Sequence, residues 1–380
     1  MASPPSHSLN PPPSGRSFHP TRRKLLTAAA FVAAGYGLSK IRWRLGGRSS
    51  AQPSTSKTLE IYTWSSYIDQ KLLDDFKAQT GISEVVVGIL GSNEEMLAAI
   101  NAGKGSTYSV LYPSDYAVTQ LVENNRLKPL DQSRLIGLDN ILPKFRNSVH
   151  DPGNRYSIPV SWGTTGLLYN SEKLNPPPRD WSYLWQYPKL LSRRFTLLDD
   201  TREVMGATLK SLGYSYNAKK ASEIKQAYEK LMELKPHIAS FTTDAWKDQL
   251  LAGDLYLAMS YSADAVTLMQ EDPRLKYVIP ESGTSLWSDT IVVPQSCPNE
   301  TGAYAWINFI LQPSVAAEMT QRLFFATPNQ AAYDQLPAPL RNNQSLFPPD
   351  ALLTKSEGIA PLEPSIAESY DQYWTKLTSS

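Results

Sequence analysis

Cysteine is nearly absent from this chain: Cys297 is the only one in 380 residues. An intramolecular disulfide is thereby excluded, and a lone thiol reads as a packing or surface residue rather than a nucleophile. Histidine is scarce too, with only four, at positions 7, 19, 150 and 237. They supply no cluster for zinc and little for a Ser-His-Asp triad. G-x-S-x-G, H-E-x-x-H and Walker A motifs are all missing. The string AGKGST from Ala102 to Thr107 has the composition of a phosphate loop but the wrong spacing, and reads as a turn. No internal repeat is visible. Excess positive charge is also lacking, with 37 Lys+Arg against 36 Asp+Glu. Residues 1–51 hold eight of the basic side chains and no acid, so residues 52–380 carry 29 basic and 36 acidic residues, formally −7. That balance excludes a basic nucleic-acid footprint and suits the attraction of cationic solutes.

Residues 1–51 read as a separate leader. Pro and Ser dominate the first twenty residues, without apolar periodicity. Arg22 and Arg23 then precede an alanine-rich apolar run from Leu25 to Gly37. That run is shorter than the ~20 residues that span a bilayer and suits a signal h-region. The order Thr-Arg-Arg-Lys-Leu-Leu resembles a twin-arginine export signal, which tolerates the basic Lys40, Arg42, Arg44 and Arg48 that follow. Ser49-Ser50-Ala51 offers a cleavage site; an uncleaved N-terminal anchor is the alternative. The expectation is a periplasmic protein whose mature part does not span the membrane.

What remains, about 330 residues, is long for one core and predicts two lobes. The pattern alternates. Strands are expected at Leu59–Thr63, Glu84–Leu90 and Ser109–Tyr112, each followed by a helix, at Gln70–Gln79, Asn93–Ala102 and Tyr116–Asn124. This is the order of a parallel sheet with covering helices. Tyr156–Asn170 is extended and interrupted by Gly163 and Gly166, as a segment crossing between lobes would be. A second set follows: strand Phe195–Leu198, helices Val204–Leu212, Ala221–Glu233 and Thr243–Ala252, and strand Leu255–Ser260. Leu286–Pro294 reads as a strand returning across the molecule, followed by helices Gly302–Leu311 and Ser314–Leu323.

Within LLDDTREVM, Leu197 to Met205, a short apolar run ends in two aspartates as a helical pattern opens. Strand-to-helix junctions are where open α/β sheets bind ligands. Asp200 and Glu203, three residues apart, share one face of a first helical turn and can hold a cation. The same spacing is also a capping-box variant. Four other segments likewise place an aromatic or an acid where an element meets a loop. They supply Trp64 and Tyr67; Ser114, Asp115 and Tyr116; Tyr261 and Asp264; and Trp287 and Asp289. Ring faces attract alkylammonium groups by roughly 0.5–2 kcal/mol each. Each ammonium–carboxylate hydrogen bond adds about 1.5–3 kcal/mol. Micromolar affinity needs only about 8 kcal/mol, so a few acids and rings suffice. Read singly, Trp64 and Trp287 also fit core aromatics, and Asp264 fits a helix-start acid.

These motifs resemble the periplasmic spermidine/putrescine-binding proteins of ABC importers, a family of bacterial extracellular solute-binding proteins. The likeness runs from about Leu59 to Leu377 through EIYTWSSYI, VLYPSDYAV, YSIPVSWGTTGLLYN, LLDDTREVMGATLKSLGYS, LWSDTIVVP, AYAWINFILQPSVAAEM and ATPNQAA. The resemblance implies two α/β lobes joined by a hinge, with the ligand cleft between them. It divides the chain into residues 58–165 plus 290–333 and residues 166–289 plus 334–380, with crossings near Gly163, Asp289 and Tyr333. It implies an aromatic box of Trp64, Tyr67, Tyr116, Tyr261 and Trp287, with Ser114 in the wall. Asp200 and Glu203 would hold one end of a polyamine and Asp289 a second amine, while Asp264 matches an acid of the putrescine-preferring branch. Four positions depart from the pattern: Ser66 replaces an acid, Tyr261 a tryptophan, Phe325, placed among the ligand-binding residues, an aromatic able to donate a hydrogen bond, and the Ile359–Pro361 segment a glutamine. The implied protein is a monomeric, non-catalytic receptor without cofactor or metal, which delivers a polyamine to an ABC permease. A receptor of the same fold for iron or a sugar is the alternative, followed by an exported hydrolase using Asp200 and Asp289 as a carboxylate pair.

Overall fold

The computed structural model describes residues 43–44, 58–65 and 67–379. The readings of the leader and of Ser66 therefore lie outside the described residues, apart from the short strand β1 (Trp43–Arg44). The first half builds a parallel sheet as the alternation predicts. β2 (Thr58–Thr63), β3 (Glu84–Ile89) and β4 (Val110–Leu111) stand with β1 in the spatial order β1-β3-β2-β4. Helices Gln70–Thr80, Asn93–Asn101 and Asp115–Glu123 follow β2, β3 and β4 in turn. Local chemistry sets their starts. Asp69 accepts from the Leu72 amide at 2.8 Å, and Ser92 from the Glu95 amide at 3.1 Å, each satisfying an orphan donor of a first turn. Ala102–Thr107 contains one short 3-10 turn, Lys104–Ser106.

β5 (Ser157–Asn170) is the long crossing strand, buried along its whole length. The second half of the molecule adds β6 (Phe195–Leu197), β7 (Ser240–Phe241), β8 (Leu257–Tyr261), β9 (Leu275–Val278) and β10 (Leu286–Val292). The first half of β5 pairs antiparallel with β10, which borders β4. From Thr165 onward β5 pairs instead with β8 and, in its last part, β9; β6 and β7 continue beyond β8 in parallel. One strand thus serves two half-sheets. Each half-sheet has its own apolar core. Leu59, Ile61, Phe76, Val110, Trp306 and Phe309 centre the first, and Trp181, Phe195, Leu197, Leu209, Leu231 and Tyr370 the second. The architecture is the expected two-lobed α/β fold with a hinge of crossing strands.

The sequence reading ends the second alternating set at Ser260. The structure adds helix Ser262–Glu271, which starts directly on β8 with no intervening turn residue, and a C-terminal helix, Pro364–Ser379. Tyr370 and Leu377 of that last helix pack into the second core. Leu336 still packs on Ala316 and Ala317 of the first half, and Phe347 meets the Trp162 ring edge-on at 6.3 Å. Residues 357–360 are then fastened to the second lobe. Glu357 pairs with Lys210 at 2.5 Å, Asn217 accepts from the Ala360 amide at 2.7 Å, and Arg202 donates to the Ala360 carbonyl at 3.0 Å. Cys297 is half-buried, its thiol donating to the Ser109 carbonyl at 3.5 Å. Among the described residues no helix is long and apolar enough to cross a membrane.

Candidate ligand site between the lobes

Strand register places the first acid. β10 pairs with β5 as Trp287↔Gly163 and Asp289↔Ser161, and the register shifts between Asp289 and Thr290. Such a bulge re-aims a side chain. Asp289, 8% exposed, accepts from the Tyr67 hydroxyl at 2.5 Å and from Ser114 Oγ at 2.7 Å. Asn93 holds Ser114 in place, donating to its Oγ and accepting from its amide, both at 3.0 Å. Ser161 Oγ also contacts the Tyr67 hydroxyl. Gly163 permits the approach: a Cβ there would sit 2.2 Å from the Trp287 ring.

The second acid pair shows how much of the capping reading is right. Asp200 caps the helix Thr201–Ser211, accepting from the Glu203 amide at 2.9 Å. Glu203 does not reach back as a capping box would. Its carboxylate, 2% exposed, instead accepts from the Tyr216 hydroxyl at 2.6 Å and lies 2.8 and 2.9 Å from Ser285 Oγ. Ser285 in turn contacts Thr165 Oγ1 on the crossing strand at 2.9 Å. Gly206 makes this possible, because a Cβ at that position would stand 2.1 Å from the Tyr216 ring.

The acids act on one another across the hinge. Burial pushes Asp289 above the usual aspartate range, against the pull of the Tyr67 and Ser114 donors. Asp115, beside Ser114, is raised well above that range by burial, then by the Asp289 charge and that of Glu203 in the other lobe. Asp200 is raised by burial and Glu94, against its amide hydrogen bonds and Arg202. Burial and the Asp200 charge push Glu203 up to about 7, against hydroxyl donors. Buried like charges without a counter-ion favour their neutral forms. A ligand bearing two or more positive charges reverses that preference.

Aromatic rings border these acids: the Asp200 charge acts on the Tyr116 hydroxyl, and the Asp200 and Glu203 charges act on that of Tyr261. Trp64, Tyr116, Tyr261 and Trp287 are each partly exposed. Tyr261 meets Trp287 edge-on with centroids 5.8 Å apart. The indole N–H groups of Trp64 and Trp287 are buried and have no protein partner. Tyr116 donates to Glu94 at 3.2 Å. Phe325 is stacked on Tyr67 at 4.8 Å and 3% exposed. A cavity of about 230 Å³ adjoins, lined among others by Asp115, His150, Trp162, Trp287, Leu353 and Gly358. It is smaller than the roughly 300–1,000 Å³ of drug-sized pockets, a scale suited to a slender ligand. His150 is pulled down to about 4 by burial and the Arg202 charge, so it stands neutral beside Asp115. Asp264 is the one predicted acid already neutralised within the protein, bound by Lys247 at 2.7 Å. Among the described residues no group of three or more His, Cys, Asp or Glu side chains is set to hold a metal ion.

Residues 71–348 match the family model described as bacterial extracellular solute-binding protein. The chain belongs to this family. The relatives it resembles include the spermidine/putrescine-binding periplasmic protein of Salmonella typhimurium, 34% identical over 332 residues, covering 87% of this chain and 94% of the relative. The putrescine-binding periplasmic protein of Pseudomonas aeruginosa is 30% identical over 346 residues, covering 87% and 94%. Among solved structures, a putative spermidine/putrescine ABC transporter protein from Listeria monocytogenes superposes with a TM-score of 0.80 at 34% identity, covering 84% of this chain and 98% of that one. The family function is solute binding for transport, and the acid-and-aromatic cleft of this solute-binding protein lies where its two half-sheets meet.

Sequence reasoning missed the residues that hold the acids. Tyr216, Ser285 and Asn93 lie 13, 82 and 21 residues from the groups they orient. No local pattern marks such partners. Gly206, inside the helix that LLDDTREVM opens, was the available signal, since an interior helix glycine asks for a packing reason.

Proposed function

We propose that this protein is a periplasmic receptor that captures a polyamine between its lobes and presents it to an ABC import permease. One observation carries the reading: Asp115, Asp200, Glu203 and Asp289 are raised carboxylates from both lobes that converge among partly exposed aromatic rings. A linear di- or tri-ammonium supplies the missing charge at spaced points, and its methylene chain covers the rings. Asp289 with Ser114 and Tyr67 forms one anchor; Asp200 and Glu203 form the other. Ser66 carries no acid, and Asp115 stands in as the further carboxylate on that lobe. The names of the relatives support the ligand class, as does the absence of a basic surplus from residues 52–380.

The lobes divide at Thr164/Thr165, where β5 changes partners, and again near Asp289. We place the third crossing between Phe347 and Glu357, because Leu336 still packs on the first lobe. The twin-arginine leader would export the chain, which acts as a monomer. Calorimetric titration of residues 52–380 with putrescine, spermidine and spermine at physiological salt tests the proposal. One-to-one binding at micromolar Kd or tighter is expected for at least one of them. No heat with all three overturns the reading.

A further inference from the structure

The acids of the cleft do not share one electrostatic situation. Asp115, Asp200, Glu203 and Asp289 are held by hydroxyl and amide donors. None of the four is ion-paired to a lysine or arginine within 4 Å in the described structure. The nearby Arg202 spends its hydrogen bonds on the Ala360 carbonyl and the Asn217 side chain. Asp264 differs. Lys247 Nζ lies 2.7 Å from Asp264 Oδ1 and 2.8 Å from Asp244 Oδ1. Asp244 is 77% exposed, so water screens that contact and little energy attaches to it. The Asp264 side chain is 26% exposed and Lys247 30%, so this pair is the sheltered one.

Asp264 stands one turn beyond the Tyr261 ring. It lies in the first turn of helix Ser262–Glu271, which starts directly after Tyr261. The Tyr261 ring leans edge-on against Trp287. Ser262 Oγ accepts from the Thr164 amide of the crossing strand at 3.2 Å, and Ala263 packs against the core of the first lobe. An ammonium arriving from the cleft meets an Asp264 that already has one.

We infer that Lys247 is a specificity-determining residue of this site: its ammonium is a built-in counter-cation that withholds Asp264 from the ligand. The inference rests on the polyamine reading of the cleft. Lys247 removes one anchor from an otherwise acid-rich cleft. A diamine is already held at both ends, by Asp289 and by Asp200 with Glu203. The withheld anchor therefore matters most to ligands with a third or fourth amine.

The test titrates wild type, Lys247→Met, Lys247→Arg, Asp264→Asn and the double variant Lys247→Met/Asp264→Asn with putrescine, spermidine and spermine, and records a thermal melt for each. Methionine keeps the apolar stem and removes the charge. Lys247→Met is expected to bind spermidine and spermine on the order of tenfold tighter, with a smaller gain for putrescine. Lys247→Arg should bind like wild type. Asp264→Asn alone leaves the Lys247 ammonium without its sheltered partner and should weaken binding of all three amines. Lys247→Met/Asp264→Asn removes both charges and should return to within about threefold of wild type. Lys247→Met that melts like wild type but binds no tighter overturns the inference. So does a tenfold or greater loss, relative to wild type, in the double variant. If Lys247→Met does not fold, the double variant, which buries no unpaired acid, decides by that outcome. Polyamine binding by wild type with no gain in Lys247→Met sinks this inference alone; no binding by either sinks the polyamine reading with it.

Discussion

Replacing Glu203 by glutamine tests the electrostatics of the cleft most directly. In the unliganded protein burial and Asp200 raise Glu203 from an ordinary 4.5 to about 7. A carboxylate whose folded pKa is raised contributes stability below its unfolded pKa and loses it as pH climbs through the folded one. The shift corresponds to on the order of 3 kcal/mol, lost between about pH 4.5 and pH 7. The melting temperature of unliganded wild type should fall over that window. A bound ammonium favours the ionised form, so binding below about pH 7 must expel a proton, and affinity must weaken as pH falls, by up to about tenfold per unit. Asp115, Asp200 and Asp289 are raised too, and they add to the wild-type slope. The difference between wild type and Glu203→Gln isolates Glu203. Glutamine keeps an oxygen for the Tyr216 hydroxyl but cannot ionise. The variant should lose about 1.5–3 kcal/mol of binding near pH 8 and release fewer protons near pH 6. Calorimetry in buffers of different ionisation enthalpy counts those protons. Equal counts in the two proteins, or a wild-type affinity flat from about pH 8 to about pH 5, would refute the reasoning.

Asp289→Asn leaves the Tyr67 and Ser114 hydroxyls a partner but removes the charge; Kd for the preferred polyamine should rise about ten- to hundredfold by calorimetry, with the melt unchanged or higher. Tyr216→Phe deletes the donor that Glu203 accepts at 2.6 Å, so the pH at which affinity falls should move upward, read from Kd against pH. Gly206→Ala forces a methyl to within 2.1 Å of the Tyr216 ring; denaturant unfolding should show a loss of about 1–3 kcal/mol, and affinity should drop as the Tyr216 hydroxyl leaves Glu203.

Wherever period and caps agree, the sequence located the elements. The helix after Ser92 starts where its Asx/Ser cap lies, and the strand Phe195–Leu197 ends within one residue of its expected limit. Of helix Ser262–Glu271 only the first-turn acid Asp264 was read and not its extent, because Tyr261 acts as its N-cap without a side-chain hydrogen bond and no capping residue marks the start. The site shows the same contrast. Asp200 and Glu203 stood out because their spacing is local. Their roles did not, since Asp200 caps as any helix-start acid would and only Glu203 turns inward, toward Tyr216 and Ser285. Asp264 was legible as an acid at a strand–helix junction. Its engagement with Lys247, seventeen residues upstream on another helix, was not. Phe325 was expected among the ligand-binding residues; it is buried and stacked on Tyr67, the ring that holds Asp289.

The same charges explain why a cation favours closure of such a cleft. Asp115 and Asp289 belong to the first lobe and its crossing strand, Asp200 and Glu203 to the second. Glu203 raises Asp115, and Asp200 acts on the Tyr116 hydroxyl, so the lobes feel each other through like charges. Glu94, in the first turn of helix Asn93–Asn101, and Asp371, midway along helix Pro364–Ser379, repeat the pattern from opposite lobes. Bringing unit charges of one sign to ~4 Å costs about 1–4 kcal/mol per pair, depending on how much water remains. Closure without ligand must therefore bear that repulsion or take up protons. A polyammonium converts each repulsive pair into two attractive contacts, one on either lobe. Its differential affinity for the closed form, which is what shifts the population, then comes from the acids that disfavour closure in its absence.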